Sequence, residues 1–424
     1  MKQVISLALT ALLLAGCGST PAASSTTNTA VTAETAAAEA SVGNGEPLRL
    51  LQHGDEKQFY ISEDVDNSET LLRYRIADLT QCTDFIPCDI EGCTHDTENC
   101  PAVIKRAFGN RLWVLNDDIL LAMQYSYEDF STTLTLMDRE CHDRRVLTTL
   151  DGYDLFSSSD HAYTDGDALY CYGNQSNQDG IYRVDLESGS ISEVCRFSTY
   201  SLPILGVIGR SFVLTQSDLA YPDSSGDLAT DALAQPTGTK SHVLLNVDTG
   251  EVREFCSYSS DDYVLDRLYF YVIGGQYYWI DSTAGTLSTV DPATGESRLL
   301  TDQLPITESD ALSAEYQYQM EANLNGWLVF YDLPLLVNAE TGEVRQRADL
   351  PENLWNGYGH QPQIFLQLKD RLLVDCRYEP YTRTDISDDG TPFTTQTNRA
   401  YLGLISIDDF LNGVPNYTEV CRAF

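Results

Sequence analysis

Three signatures of common enzyme chemistry are missing from this 424-residue chain. It has no Gly-x-Ser-x-Gly elbow, no His-Glu-x-x-His and no Gly-x-x-x-x-Gly-Lys loop, so an α/β-type serine hydrolase, a zincin and a P-loop nucleotide enzyme all lack support. Histidine is scarce. His53, His95, His142, His161, His242 and His360 are the whole complement, and none has a neighbour at catalytic spacing. Cys-x-x-Cys is absent too, which removes the usual thiol-redox motif. Basic residues are few: 26 Lys and Arg stand against 63 Asp and Glu, a net charge of −37. Such a surface repels phosphate backbones and excludes nucleic acid as a partner. With so many acids, chance pairs are certain to occur, so the composition leaves open a carboxylate dyad of the glycoside hydrolase or lyase kind. The one long apolar run, Val4 to Leu14, is too short to cross a bilayer.

That run follows Met1-Lys2 and ends in Leu14-Ala15-Gly16-Cys17, the pattern of a cleaved export signal rather than of fold. It resembles the lipobox of bacterial lipoproteins. The resemblance implies that residues 1–16 are removed and that Cys17 becomes the acylated mature N-terminus. The protein would then sit on the extracytoplasmic face of the cell membrane, held to the lipid bilayer by its acyl chain alone. Residues 17–47 are rich in Ala, Ser and Thr and nearly free of large apolar side chains. A stretch of that kind cannot offset its ordering entropy and reads as a disordered tether. Residues 48–424 remain for folding.

One phrase recurs there: alternating apolar residues, Asp or Asn, then Thr-Gly or Ser-Gly, then a second alternating run. Four copies are plain, at Ile181 to Gly189, Leu244 to Gly250, Leu287 to Gly295 and Leu335 to Gly342. A period of two predicts strands, and the Gly-bearing break supplies the positive φ of a tight hairpin. A second hairpin signal precedes each phrase, as in Gly166 to Cys171, Asn325 to Phe330 and Lys369 to Val374. Two hairpins make a four-stranded unit, and units fall near 48–89, 103–150, 155–197, 202–258, 263–302, 314–350 and 363–424. The expected fold is all-β, a seven-bladed β-propeller of four-stranded antiparallel blades. Two packed sandwiches would not require one phrase at the same place in every unit. The first unit supplies four strands of its own, starting with Leu48–Gln52, and so does the last, which predicts no strand exchange between termini. The phrase resembles repeats of quinoprotein-type propellers and of outer-membrane assembly lipoproteins built on that fold. Those families place a tryptophan after the glycine. Here Val252, Ser297 and Val344 stand in that region, so no quinone cofactor is implied.

Antiparallel strand direction puts the A–B and C–D turns of every blade on one face and the B–C turns and D–A connections on the other. The long segments, Cys88–Ala102, Gln124–Ser131, Ser217–Ser241, Gln303–Ala314, Pro351–Pro362 and Tyr378–Arg399, are expected on the B–C face. Tyr125, Tyr127, Tyr221, Trp355, Tyr358, His360, Tyr378 and Tyr381 belong to it, and rings with polar tips suit a glycan, a peptide or a protein partner. The leading expectation is a non-catalytic binding scaffold. A glycan-active hydrolase or lyase is the alternative, and an envelope assembly factor is a third reading.

The densest chemical cluster is Cys88-Asp-Ile-Glu-Gly-Cys93-Thr-His95-Asp-Thr-Glu-Asn-Cys100, expected between the first blade's last strand and the second blade. It resembles a Cys-Thr-His-Asp segment of uncharacterised lipoproteins of anaerobic Firmicutes, a resemblance that implies no activity. Three thiolates and an imidazole could close a zinc site, although Cys-x4-Cys-x-His-x4-Cys is not a ribbon or knuckle spacing. In an exported chain, disulfides such as Cys93–Cys100 or Cys82–Cys88 are the favoured expectation. Asp385 to Gly390 has the alternating oxygens of a calcium loop but Gln396 at its twelfth position. No cofactor is favoured, with Zn and Ca the two ions the sequence admits.

Overall fold

The computed structural model describes residues 45–423 except 66–69, 108, 156–161, 198–203, 218–237, 260–267, 307–317, 332, 348–349, 351–352, 356–357, 361 and 387–391; the side chains of 217, 259, 353–360, 383–393 and 397 are likewise outside the description. The chain forms a seven-bladed propeller of antiparallel blades. Strands A to D are Gly109–Val114, Ile119–Ser126, Ser131–Asp138 and Arg145–Asp151 in blade 2. In blade 3 they are Ala162–Thr164, Ala168–Gln175, Gln178–Asp185 and Ile191–Arg196. Blade 4 uses Ile204–Ile208, Ser211–Ser217, Thr239–Asn246 and Val252–Ser259. Blade 5 uses Leu268–Ile273, Gln276–Asp281, Thr286–Val290 and Ser297–Thr301. Blade 6 uses Met320–Leu324, Trp327–Phe330, Leu335–Asn338 and Val344–Gln346. Blade 7 is Ile364–Gln367, Arg371–Ile386, Pro392–Ser406 and Thr418–Arg422, with a short helix, Ile407–Leu411, before its last strand.

The recurring phrase is the C–D turn, and its chemistry repeats in four blades. The side-chain oxygen of Asp185, Asn246, Asp291 or Asn338 accepts from backbone N–H groups two or three residues on, at 2.8–3.2 Å. The glycine four residues on, at φ between 68° and 75°, donates its N–H back to the carbonyl of that same Asp or Asn. An L side chain there would be strained, which is why each copy carries glycine.

Side chains on facing strands form an apolar cluster at every junction of the ring. Tyr74, Ile76 and Leu120 fill blades 1 to 2, Leu121 and Leu169 blades 2 to 3, and Phe212 with Tyr170 blades 3 to 4. Val213 and Tyr277 join blades 4 and 5, Ile280 and Leu328 blades 5 and 6, and Leu336 and Leu372 blades 6 and 7. Phe59, Ala77, Leu402 and Leu404 close blade 7 onto blade 1. Among the described residues the termini exchange no strand, so this closing junction rests on side chains, each large one contributing roughly 1.5–3 kcal/mol. A polar latch adds to it: Arg75 donates to the Arg422 carbonyl, and Glu63 pairs with Arg73, Arg75 and Arg422.

Blade 1 departs from the expected plan in two ways. Leu48–Gln52 is not its inner strand. Arg49 and Leu50 instead pair with Thr164 and Tyr163 of blade 3, and Gln52 pairs with Val114 of blade 2. The segment crosses the A–B turns of successive blades: Leu48 N–H donates to Gly209 at 2.9 Å, and Tyr60 N–H donates to His53 at 2.8 Å. Only His53 to Asp55 reach strand B of blade 1, with Gly54 opposite Phe59. A Cβ on Gly54 would stand 2.6 Å from the Gln58 carbonyl oxygen, so only glycine lets the backbones approach. Blade 1 therefore consists of strand B, Gln58–Asp64, strand C, Leu71–Asp78, and an outer strand split into Thr83–Phe85 and Val103–Lys105. The cysteine-rich segment fills the split. It leaves the outer edge of blade 1 instead of connecting two blades on the B–C face, and it packs on the C–D turn of blade 2 through Arg144, His142 and Pro87.

Candidate functional site: the notch in blade 1

Because the inner strand of blade 1 is diverted, strand B faces the central channel. On its other side, Phe59, Ile61 and Glu63 form the ladder with Ala77, Arg75 and Arg73. The main-chain groups of Gln58 and Tyr60 point inward to Asp55 and His53. Alternation then aims those of Ser62 and Asp64 inward as well. Among the described residues no strand pairs with that edge beyond Tyr60.

A cavity of about 480 Å³ fills the missing strand's place. Phe59, Ile61, Phe365 and Leu402 give it an apolar wall on the blade 7 side, and Asn110 and Arg111 give it a polar wall on the blade 2 side. His53 lies at its base, with Nδ1 2.6 Å from the Leu112 carbonyl oxygen. Arg106 stands at the rim, paired with Asp64. None of these residues was a candidate from sequence.

The predicted aromatic face is brought together only in part. Tyr125 is 3% exposed, a core side chain of blade 2, and its ring meets that of Tyr127 edge-on at 5.1 Å. Tyr127 is exposed. Tyr221 lies outside the described residues. Trp355 and Tyr358 to His360 form a two-stranded hairpin, Asn353–Trp355 with Tyr358–His360, whose backbone lies against strand B of blade 7; their side chains are outside the description. Tyr378 is half-buried and donates its hydroxyl to Asp375. Tyr381 lies under the Arg399 guanidinium, 4.2 Å from its ring centre.

Tyr378–Arg399, expected as a loop, is a β-ribbon: strands B and C of blade 7 stay paired from Arg371↔Ser406 to Ile386↔Pro392, well past the blade. Arg377 stacks on Tyr401 at 3.6 Å and pairs with Glu419 at 3.1 Å, stiffening its base. Gln124–Ser131, expected to be long, is a short B–C turn, Tyr127 to Phe130, and the B–C turn of blade 3 is the pair Ser176-Asn177. Elaboration of that face is therefore concentrated on blade 7 among the described residues. The calcium-like segment falls mostly on 387–390, outside them.

Carboxylates also meet between blades 6 and 7. Glu321 accepts from the Ile364 N–H at 2.7 Å, and burial pushes its carboxyl up to about 7 despite nearby Arg347. Asp375 is 1% exposed, its oxygens engaged by the Gln363 N–H at 2.5 Å and by Tyr378. Asp375 thus ties strand B of blade 7 to the segment entering strand A of the same blade, while the bond between blades 6 and 7 is the one Glu321 accepts from Ile364.

The four residues of the cysteine–histidine cluster converge. Ligand atoms of Cys88, Cys93, His95 and Cys100 all lie within 4.8 Å of one another. Cys82 does not join them, since it packs at the blade 7–1 junction while Cys88 packs with Val65 and Val103.

These features define a seven-bladed propeller with an incomplete first blade, a channel-side notch and a ribbon on blade 7. No protein-family model matches the chain, and no curated protein matches it. Solved structures that it is similar to include an oligogalacturonate lyase from Vibrio parahaemolyticus, with 11% identity, 88% of this chain and 86% of that chain covered, and a TM-score of 0.41. The β-propeller domain of the Trilobed protease from Pyrococcus furiosus has 10% identity, 86% and 99% coverage and a TM-score of 0.43. TolB from Acinetobacter baumannii has 10% identity, 86% and 79% coverage and a TM-score of 0.35.

Proposed function

We propose that this chain is a membrane-anchored, extracytoplasmic binding propeller that takes up an extended peptide segment of a partner protein as the inner strand of blade 1. The observation that carries the reading is the open edge of Gln58–Asp64 beside a cavity of about 480 Å³. An added strand gains main-chain hydrogen bonds from Ser62 and Asp64, the usual source of affinity in strand addition. Its alternate side chains would face an apolar wall at Phe365 and Leu402 and a basic one at Arg111. An apolar and acidic alternation fits best. The lipobox at Leu14 to Cys17 supports anchoring, and among the described residues no helix is long and apolar enough to cross a membrane.

Panning a random peptide library on the chain from Ser19 onward is expected to yield alternating apolar and acidic sequences. Ser62→Pro deletes the inward N–H at an edge position where proline is tolerated. Affinity should fall roughly tenfold, while Ser62→Ala leaves it unchanged. Binders indifferent to Ser62→Pro, or no binders at all, would reject the notch as the site. For the anchor, Cys17→Ser should move the protein from the membrane to the soluble fraction of cells, and wild-type protein found wholly soluble would overturn it.

A further inference from the structure

We propose that Cys88, Cys93, His95 and Cys100 bind one zinc ion in a closed tetrahedral site that staples the insertion in blade 1. A tetrahedral zinc with sulfur at about 2.3 Å and nitrogen at about 2.0 Å sets its ligand atoms roughly 3.5–3.8 Å apart. Here all four ligand atoms lie within 4.8 Å of one another, and His95 Nδ1 is 3.3 Å from Cys100 Sγ. A disulfide would use two of the sulfurs and leave the third thiol and the imidazole converging on nothing.

The backbone is shaped for that convergence. His95 holds a left-handed φ of 57°, and Gly92 turns the chain just before Cys93 at φ 74°. The left-handed step at His95 lets Cys93 and His95, separated by one residue, face the same point. The His95 N–H lies against Cys93 Sγ and the Ala102 N–H against Cys100 Sγ. Donors of that kind orient thiolate ligands from a second shell.

Apart from its bonds to the C–D turn of blade 2, the insertion has little to hold it. Its apolar contacts are a small cluster around Val65, Cys100, Ala102 and Val103, and none of its residues from Ile86 to Ala102 is in a strand. Metal binding supplies order to such a core-poor segment. The insertion in turn is gripped by blade 2, because Arg144 donates to the Pro101 and Val103 carbonyls. The ion would therefore fix the outer edge of the blade 1–2 junction. With four protein ligands no position is open, so the site is structural and not hydrolytic.

The test is metal content of the full-length chain, extracted in detergent and purified under reducing conditions, by inductively coupled plasma mass spectrometry. One zinc per chain is expected, retained in Cys82→Ser and lost in Cys93→Ser and Cys100→Ser. Cobalt replacing zinc should give intense tetrahedral ligand-field bands and a thiolate charge-transfer band. His95→Ala, which removes a ligand and no thiol, should keep the fold and weaken those bands. In hydrogen exchange, chelation should expose residues 86–102 and spare blades 4 to 6. Two results would overturn the site: no stoichiometric zinc or cobalt in folded reduced protein, or a Cys93–Cys100 disulfide in protein whose thiols were trapped in living cells.

Discussion

Gly342→Ala is expected to destabilise the propeller by several kcal/mol, far more than Gly209→Ala at another turn of the ring. Both glycines are left-handed, at φ 75° and 59°, and that conformation alone costs an alanine about 1–2 kcal/mol. Nothing lies within 4 Å of the place a Cβ on Gly209 would take, so strain should be the whole effect there. A Cβ on Gly342 would overlap the Leu300 carbonyl, which is main chain of the outer strand of blade 5 and cannot swing aside. Relief requires the C–D turn of blade 6 to lift away from blade 5, loosening the cluster of Leu300, Leu335 and Val337. A total of about 4 kcal/mol, at the upper end for single substitutions, is reasonable. Urea midpoints of the two variants decide the matter. Equal losses would mean that the turn yields freely and that the repeated phrase contributes nothing to the contact between blades.

That phrase is also why so much of the architecture was legible. Its Asp or Asn, its Thr and its glycine each have a local job in one turn, so the sequence marks the turn wherever it occurs, and the blade count follows. The first blade was harder for a physical reason. Leu48–Gln52 alternates like any strand, but alternation reports only that one face is buried, not which sheet supplies the partner. Its pairing with Thr164 and Val114 depends on chain path, which no local pattern encodes. The notch followed from that path and was invisible for the same reason. Tyr125 shows the limit on the aromatic face: it lies at the B–C end of its strand, yet its ring turns into the core of blade 2. The cysteine cluster was the opposite case, with ligand identity plain in the sequence and only the convergence of its four donors left for the structure.

In zinc-free protein, stability should be nearly flat from about pH 5 to pH 6.5, and two substitutions should tilt it in opposite directions. His242 is fully buried beside Phe255, Tyr258, Phe270 and Tyr277, its Nδ1 bonded to the Tyr277 hydroxyl and its Nε2 without a partner. Burial, with Lys240 nearby, lowers its pKa from 6.5 to about 3. The unfolded chain then binds the extra proton, so this group's stability contribution is complete above pH 6.5 and is lost as pH falls toward 3. Glu321 acts the other way. Its carboxyl is raised from 4.5 to about 7, by burial foremost and by Asp375, with Arg347 and the Ile364 N–H opposing. The folded chain holds that proton longer, so stability is greatest below pH 4.5 and falls as pH rises through 7. Each displaced titration changes stability by at most about 1.4 kcal/mol per pH unit, and between 4.5 and 6.5 the two slopes cancel. His242→Phe should leave only the Glu321 slope, with stability declining by about 2 kcal/mol from pH 5 to 6.5; Glu321→Gln should leave only the His242 slope, with stability rising by a similar amount. Urea unfolding of the three proteins across that window measures both. Parallel curves for the wild type and either variant would show that the replaced group titrates alike in the folded and unfolded chain, and would remove the burial argument at that position.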